Sequence, residues 1–300
     1  MPVLTIFTAT YNRGHLIKRV YDSLMRQSNY DFEWLVIDDG STDDTELLFE
    51  YFISQSSPFP IRYYKQENRG LIRSLNRGVE LASGQFFVKL DSDDYVVDNF
   101  TKFVITWIDS IKNSPKVYAV GGLRIKSDGS PIKGVWPKIP SNSFVDVSDL
   151  DRAKYDLDAD MTEAWAIDVL RKYPFPVWED EKFAPEQLVF YDIAMDGYKI
   201  RWYPVPLTVC EYQQCGLTLG AKKLVANNPM GYAMMYNQNL IRFKNLKSRC
   251  YNAIQMIALS FYAGHLSYLK HSNDKLITTL VLPIGIIWGI RRCRQFRKLS

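Results

Sequence analysis

Two aspartates one residue apart, Asp91 and Asp93 in the run Asp91-Ser92-Asp93-Asp94, carry the sharpest chemistry in this chain. In extended backbone, residues i and i+2 point to one side, so both carboxylates would face one point while Ser92 faces away. Carboxylates that close repel unless a cation lies between them. Oxygen-only ligands suit Mg²⁺ or Mn²⁺, and Mg²⁺ is commonly held by one or two carboxylates plus substrate phosphates. Taken alone, such a pair is more often a solvated turn, with Asp94 or Asp98 capping the next helix. A second cluster, Asp38-Asp39-Gly40-Ser41, has the composition of a turn or of a carboxylate placed to grip an N–H of a base or sugar. Residues 68–73 add Arg69 and Arg73 at a helix start, where the guanidinium fork and the helix N-terminus both suit a diphosphate. The three histidines (His15, His265, His271) are scattered, and the four cysteines (Cys210, Cys215, Cys250, Cys293) show no metal-ligand spacing. That pattern argues against a His-built zinc site and a disulfide framework, and it fits a reducing compartment.

These clusters fall at the ends of elements. Residues 3–8 (VLTIFT) read as a buried strand, with further strands at 32–37, 61–66 and 86–90. Helices are expected over 15–27, 43–55 and 71–82. Strand–helix alternation with short connections means a mostly parallel sheet covered by helices. Ligands of such sheets bind outside the carboxyl ends of the strands. Residues 8–13, 38–41 and 91–94 all lie there. The stretch 117–180, with Gly121-Gly122 and Pro137, Pro140, Pro174 and Pro176, reads as strands and long loops across one end of the sheet. A helix is expected from Pro185-Glu186, a strand at 199–205, and helices over 222–245 and 248–269. With 300 residues, 47% of them apolar, wholesale disorder is excluded.

The segments Thr10-Tyr11-Asn12-Arg13, Val36-Ile37-Asp38-Asp39-Gly40-Ser41-Thr42, Asn76-Arg77-Gly78 and Asp91-Ser92-Asp93-Asp94 together resemble, in order and spacing, the family 2 glycosyltransferases of GT-A fold. The resemblance covers about residues 1–215, and 216–300 would be a helical extension. It implies an enzyme of bacterial surface-polysaccharide type that uses a nucleotide-sugar donor, usually a UDP- or dTDP-sugar, and Mn²⁺ or Mg²⁺. It also implies that Thr10, Tyr11 and Asn12 line the nucleoside pocket and that Asp39 binds the base. Asp91, with Ser92 beside it, would lie near the ribose, and Asp93, with Asp91, at the metal on the diphosphate. Arg73 is carried as a donor contact. The family's late Glu-Asp pair corresponds to Glu186-Gln187, which leaves Glu186 as the base, with Glu179 and Asp180 as the other candidates. The reaction implied is inverting: an acceptor hydroxyl of a glycan or lipid-linked molecule attacks, and one base takes its proton. Trp165 and Trp178 are candidates for stacking on a sugar face, although such residues are more often packing.

Competing readings are a non-catalytic nucleotide-sugar-binding module, supported by Gln187, and a sugar-phosphate nucleotidyltransferase, disfavoured by the lack of a Gly-rich loop after the first strand. A phospho-receiver domain does not fit the length. The net charge of +4 is uneven: residues 291–300 hold five bases and no acid, leaving 32 basic and 33 acidic residues in 1–290. A nucleic-acid-binding face is therefore not expected. Residues 276–290 (LITTLVLPIGIIWGI) lack charge but fall short of the ~20 residues of a spanning helix, and Pro283 would kink one. With the basic cluster behind it, 276–300 reads as an anchor on an anionic membrane surface, which places the protein on the cytoplasmic face of a membrane. The donor sugar, the acceptor and the oligomeric state are not encoded legibly.

Overall fold

A computed structural model describes residues 1–211 and 220–298. The elements run β1 (Leu4–Thr10), α1 (Gly14–Met25), β2 (Phe32–Asp38), α2 (Thr45–Ser54), β3 (Ile61–Lys65), α3 (Leu71–Leu81), β4 (Phe86–Lys89), β5 (Tyr95–Val96), α4 (Phe100–Ile111) and β6 (Val117–Lys126). They continue with β7 (Val145–Val147), β8 (Met161–Ala166), α5 (Ile167–Leu170), α6 (Gln187–Met195), β9 (Lys199–Cys210), α7 (Ala221–Asn227), α8 (Pro229–Arg242), α9 (Leu246–Tyr262) and α10 (Lys275–Phe296). By internal contacts the chain divides into two units, Met1–Pro174 with Phe190–Gln213, and Phe175–Val189 with Gln214–Ser300. The expected boundary at 215/216, like Cys215, lies outside the described residues. Residues 175–189, expected in the first domain, go by contacts with the helices of the second unit.

The first unit is built on one sheet of order β3-β2-β1-β4-β8-β6-β9-β5, with β7 beside β9. β3, β2, β1 and β4 are parallel. Their middle members are buried on both faces, which is why β1 and β2 read as continuous apolar runs. β8 joins antiparallel to β4 and to β6, so the sheet is mixed beyond β4. α1 buries Leu16, Ile17, Val20 and Leu24, one face at helical spacing. Ile17, Val20 and Leu24 join Trp34, Phe32, Phe49 and Phe52 in the core.

The stretch beginning at 117 is more regular than its glycines suggest. Gly121 and Gly122 lie inside β6, a full ten-residue strand. A Cβ on Gly121 would sit 2.6 Å from the Trp202 ring, and one on Gly122 2.7 Å from Leu207. The glycines make room for side chains of the neighbouring β9; they are not turn residues.

In the second unit, Met230, Ala233, Leu240, Met256, Ile257, Ile277 and Val281 form the core. Glu181 explains why 175–189 belongs here: its carboxylate accepts from Met230 N (2.6 Å) and Gly231 N (2.7 Å), two of the orphan donors at the start of α8. Asn228 Oδ1 accepts from Lys182 N and Phe183 N, each at 3.0 Å. The long helix expected over 222–245 breaks at this asparagine, and Pro229 occupies the first turn of α8.

Candidate active site

Register brings the predicted clusters together. Thr10 at the end of β1 lies opposite Asp38 at the end of β2, and Leu90 N, just past β4, donates to Phe7 O of β1 at 2.8 Å. The segments after three neighbouring strands thus converge at the carboxyl edge of the sheet. Thr10 is buried, and its hydroxyl has no hydrogen-bond partner among the described residues. A buried hydroxyl left unmatched is costly, so such a group needs a reason. Tyr11 is 49% exposed at the loop tip. Asn12 has φ +53°, a conformation asparagine tolerates. It ties the two loops, donating through its N–H to Ser41 Oγ (2.9 Å) and accepting Thr42 N on Oδ1 (2.8 Å).

Asp38 and Asp39 differ in task. Asp38 accepts from Ser41 N at 2.8 Å and from the Tyr63 hydroxyl, so it shapes the turn and the strand end. Burial and the Asp38 carboxylate push the Tyr63 phenol well up. Asp39 is buried and grips the loop before α3: Oδ1 accepts from Gln66 Nε2 (2.8 Å) and Arg69 N (2.9 Å), and Oδ2 from Gly70 N (2.7 Å). An ionised carboxylate has about four acceptor positions, so a base N–H still fits the count. Arg73 donates to Arg69 O at 3.0 Å from the first turn of α3.

The acidic run departs from the extended geometry expected of it. Asp94 N donates to Asp91 O at 3.1 Å, which closes a turn over Ser92 and Asp93. The carboxylates that converge are those of Asp91 and Asp94, and the cation between them is Arg124 of β6. Its guanidinium lies 2.9 Å from Asp91 and 3.4 Å from Asp94. Lys89 Nζ holds the other oxygen of Asp91 at 3.1 Å. Burial alone would raise the Asp91 carboxyl, but the two cations win and hold it well below the usual carboxylate range. Burial pushes Asp94 up to about 6 against the pull of Arg124. Cys210 Sγ donates to Asp94 at 3.2 Å, and burial pushes that thiol up. Ser92 is buried. The Asp93 backbone carbonyl is fixed by Arg19 at 3.0 Å, while no ion pair or hydrogen bond engages its carboxylate among the described residues.

Glu163 was not singled out by the sequence. β8 pairs with β4 up to Val88 and Ala164, so Lys89 and Glu163 are the next positions along the two strands. Glu163 accepts from Trp165 Nε1 at 2.8 Å and faces Arg152 at 3.5 Å. Burial, with the Asp149 carboxylate nearby, pushes it up to about 7 against the charge of Arg152. Trp165 is spent on Glu163 and on stacking with Phe190, so it packs the core. Trp178 packs on His265 and Tyr268 in the second unit.

The two-carboxylate set expected from Asp91 and Asp93 is not what the structure presents. Among the described residues no cluster of three His, Cys, Asp or Glu could hold a metal. Asp91 is already neutralised by Lys89 and Arg124, which leaves Asp93, within the described acidic run 91–94, as the carboxylate to offer. A single carboxylate completed by substrate phosphates is a common Mg²⁺ arrangement.

Residues 5–142 match the family described as glycosyl transferase family 2. Residues 5–142 are a family 2 glycosyl transferase domain. This domain contains Thr10, Asp39, Asp91, Asp93 and Arg124, while Glu163 and Glu186 lie beyond it. The chain is 34% identical over 97 residues to a chondroitin synthase of Escherichia coli, which is 32% of this chain and 14% of that protein. It is 26% identical over 209 residues to a poly-beta-1,6-N-acetyl-D-glucosamine synthase of Staphylococcus aureus, 68% of this chain and 48% of that protein. The matched stretches thus span half or less of these curated relatives. In fold the chain resembles S. aureus TarS 1–349 in complex with UDP-GlcNAc, with TM-score 0.63, 16% identity, and 99% and 91% of the two chains covered. It also resembles a Pyrobaculum calidifontis mannosyltransferase in complex with GDP-Man and Mn²⁺, with TM-score 0.57, 18% identity, and 99% and 83% covered. The family 2 domain therefore sits in a GT-A-like mixed α/β fold.

Glu186, the base implied by the resemblance, is half-buried and directly precedes α6, where Val189 N donates to its carbonyl at 3.1 Å. Its neighbour Leu188 is held through its carbonyl by Gln238 Nε2 of α8 at 2.8 Å, so the second unit carries this segment. Glu179 and Asp180 are exposed.

Proposed function

We propose that the chain is an inverting glycosyltransferase that moves a sugar from a UDP-sugar to a hydroxyl of a glycan or lipid-linked acceptor in cell-surface polysaccharide synthesis. The observation that carries this reading is the convergence of an unpartnered buried Thr10 hydroxyl, the Asp39 hub and the Asp93 carboxylate at the ends of adjacent strands. Its placement in a family 2 domain supports it. The relatives named for chondroitin and poly-N-acetylglucosamine synthesis favour a polymer product, and the UDP-GlcNAc-bound fold relative favours an N-acetylhexosamine donor.

In this reading the loop closed by Asn12, Ser41 and Thr42 and the loop held by Asp39 form the nucleoside pocket, and the Thr10 hydroxyl supplies a polar contact to it. Arg124 and Lys89 keep Asp91 ionised and fixed beside the sugar–phosphate. Asp93 would hold Mg²⁺ or Mn²⁺, which when bound neutralises charge building on the leaving diphosphate. The acceptor oxygen forms a bond to the anomeric carbon as the bond to the diphosphate oxygen breaks, and UDP departs. Glu186 takes the acceptor proton. The test is turnover of a UDP-sugar panel, scored as UDP released, by wild type and Glu186→Gln. The variant should bind UDP normally and lose at least about 100-fold in turnover, the scale of a general-base contribution. Near-normal turnover with intact binding would remove Glu186 from this role.

A further inference from the structure

One helix, α10, runs from Lys275 to Phe296 with Pro283 inside it. Packing continues across the proline on one face. Ile277 and Val281 before it lie in the core, and Gly285 and Gly289 after it lie against Ile257 and Phe261 of α9. A Cβ at either glycine would come within 2.7 Å of those side chains. The opposite face is exposed among the described residues. Leu276 (72% exposed), Leu280 (70%), Ile284 (51%) and Ile287 (65%) follow one another at steps of three or four residues, with Trp288 and Ile290 beside them. The same stripe continues, again at steps of three and four, into Arg291, Arg294 and Lys298, all exposed. Arg291 lies over the Trp288 ring, 5.3 Å from its centroid. Arg292 points the other way, to Gln255 of α9 at 2.9 Å.

We infer that this stripe is a docking surface for an anionic lipid bilayer, with α10 lying in the interface plane. Charge complementarity favours that occupant over a second copy of the chain. The apolar stripe ends in Arg291, Arg294 and Lys298, within a run of ten residues that holds five bases and no acid, while residues 1–290 carry a net charge of −1. A copy of the same chain offers no matching acidic tract at the end of its own stripe, whereas a leaflet of anionic headgroups does. Basic residues at a membrane surface are each worth about a fivefold gain in partition. By length and composition α10 could also cross a membrane. Two observations favour the in-plane arrangement. The uncharged run 276–290 is about 22 Å long at 1.5 Å per residue, against a hydrocarbon core of about 30 Å. One side of the helix is moreover committed to α9: Gly285 and Gly289 lie against Ile257 and Phe261, and Arg292 donates to the buried Gln255.

Flotation of the full-length protein with vesicles of phosphatidylcholine, with and without phosphatidylglycerol, tests this directly. Wild type should float with anionic vesicles and be released by high salt or alkaline carbonate. The triple variant Arg291→Gln/Arg294→Gln/Lys298→Gln should lose the anionic preference, on the order of a hundredfold in partition. Leu280→Glu/Ile287→Glu should lose binding to both vesicle types. All five positions are exposed, so thermal melts should match wild type. The inference is overturned by equal partition of wild type on neutral and anionic vesicles, or by undiminished flotation of either variant. It is equally overturned by resistance to carbonate, which would mean a spanning helix, or by self-association in light scattering that the Leu280/Ile287 variant abolishes.

Discussion

Replacing Arg124 with methionine removes the one guanidinium that lies between Asp91 and Asp94, at 2.9 and 3.4 Å, on a side chain only 12% exposed. Methionine fills much of the volume but leaves Asp94, almost fully buried, without its ion-pair partner. Breaking a buried pair by removing one member typically costs about 3–5 kcal/mol. In a unit of this size each kcal/mol lowers the melting temperature by roughly 2–4 °C, so the expected drop is about 6–20 °C. Asp91 keeps Lys89 at 3.1 Å, so its carboxyl moves back toward the ordinary range only part of the way. UDP binding should weaken without vanishing. Adding Asp94→Asn to Arg124→Met removes the stranded charge and should recover at least about 1 kcal/mol of the loss, a coupling that a double-mutant cycle in thermal or urea denaturation would read. Arg124→Lys should fall between, because an ammonium keeps the charge but not the fork. An Arg124→Met protein that melts within 2 °C of wild type and binds UDP with unchanged affinity would refute the claim that this pair of contacts organises the site.

Two further outcomes follow from buried groups at the same edge of the sheet. Glu163 is pushed up to about 7 from an ordinary 4.5, so the folded state holds its proton more tightly than the unfolded chain. Its stabilising contribution is complete below pH 4.5 and is lost as the pH rises through about 7. Glu163→Gln should flatten the stability–pH curve across that window, by on the order of 3 kcal/mol; an unchanged curve in denaturant titrations at several pH values would show that Glu163 is not so perturbed. Thr10→Val replaces an unpartnered buried hydroxyl with a methyl of the same shape, so the apo protein should be as stable or about 1 kcal/mol more stable while UDP binds about 5–10-fold more weakly. Equal UDP affinity would mean that the hydroxyl does not meet the ligand.

What the sequence made legible follows from locality. β1, β2 and β4 are short, doubly buried strands, so their composition announces them, and the polar residues that follow each are contiguous. Thr10, Asp39 and Asp93 could be placed at one edge because parallel strands bring successive carboxyl ends together. Arg124 and Glu163 could not, since each is a single charge on a strand, 33 and 72 residues from Asp91 in the chain. The faint signal was Arg124 between Leu123 and Ile125 in the mostly apolar run VYAVGGLRI, which asks for a buried acid as partner. The sequence offered both an extended run and a turn at Asp91–Asp94, because period-two alternation of Asp residues looks alike in a strand and in a turn; the structure has the turn. The fate of residues 175–189 depended on Glu181 capping a helix 49 residues later, a contact with no local signature. Pro283 does not end α10: the packing of Ile277, Val281, Gly285 and Gly289 along one face continues across the one helical hydrogen bond the proline lacks.

The central claim is a cation-assisted nucleotide-diphosphate site centred on Asp93. Calorimetric titration of UDP into wild type, with and without Mn²⁺, beside the same titration of Asp93→Asn, tests it most directly. The account predicts binding that strengthens at least about tenfold with the cation, the lower end of what losing even an outer-shell partner costs a metal site, and a variant that folds normally but shows no response to Mn²⁺. Binding of equal strength with and without the cation, or a cation response undiminished in Asp93→Asn, would contradict it.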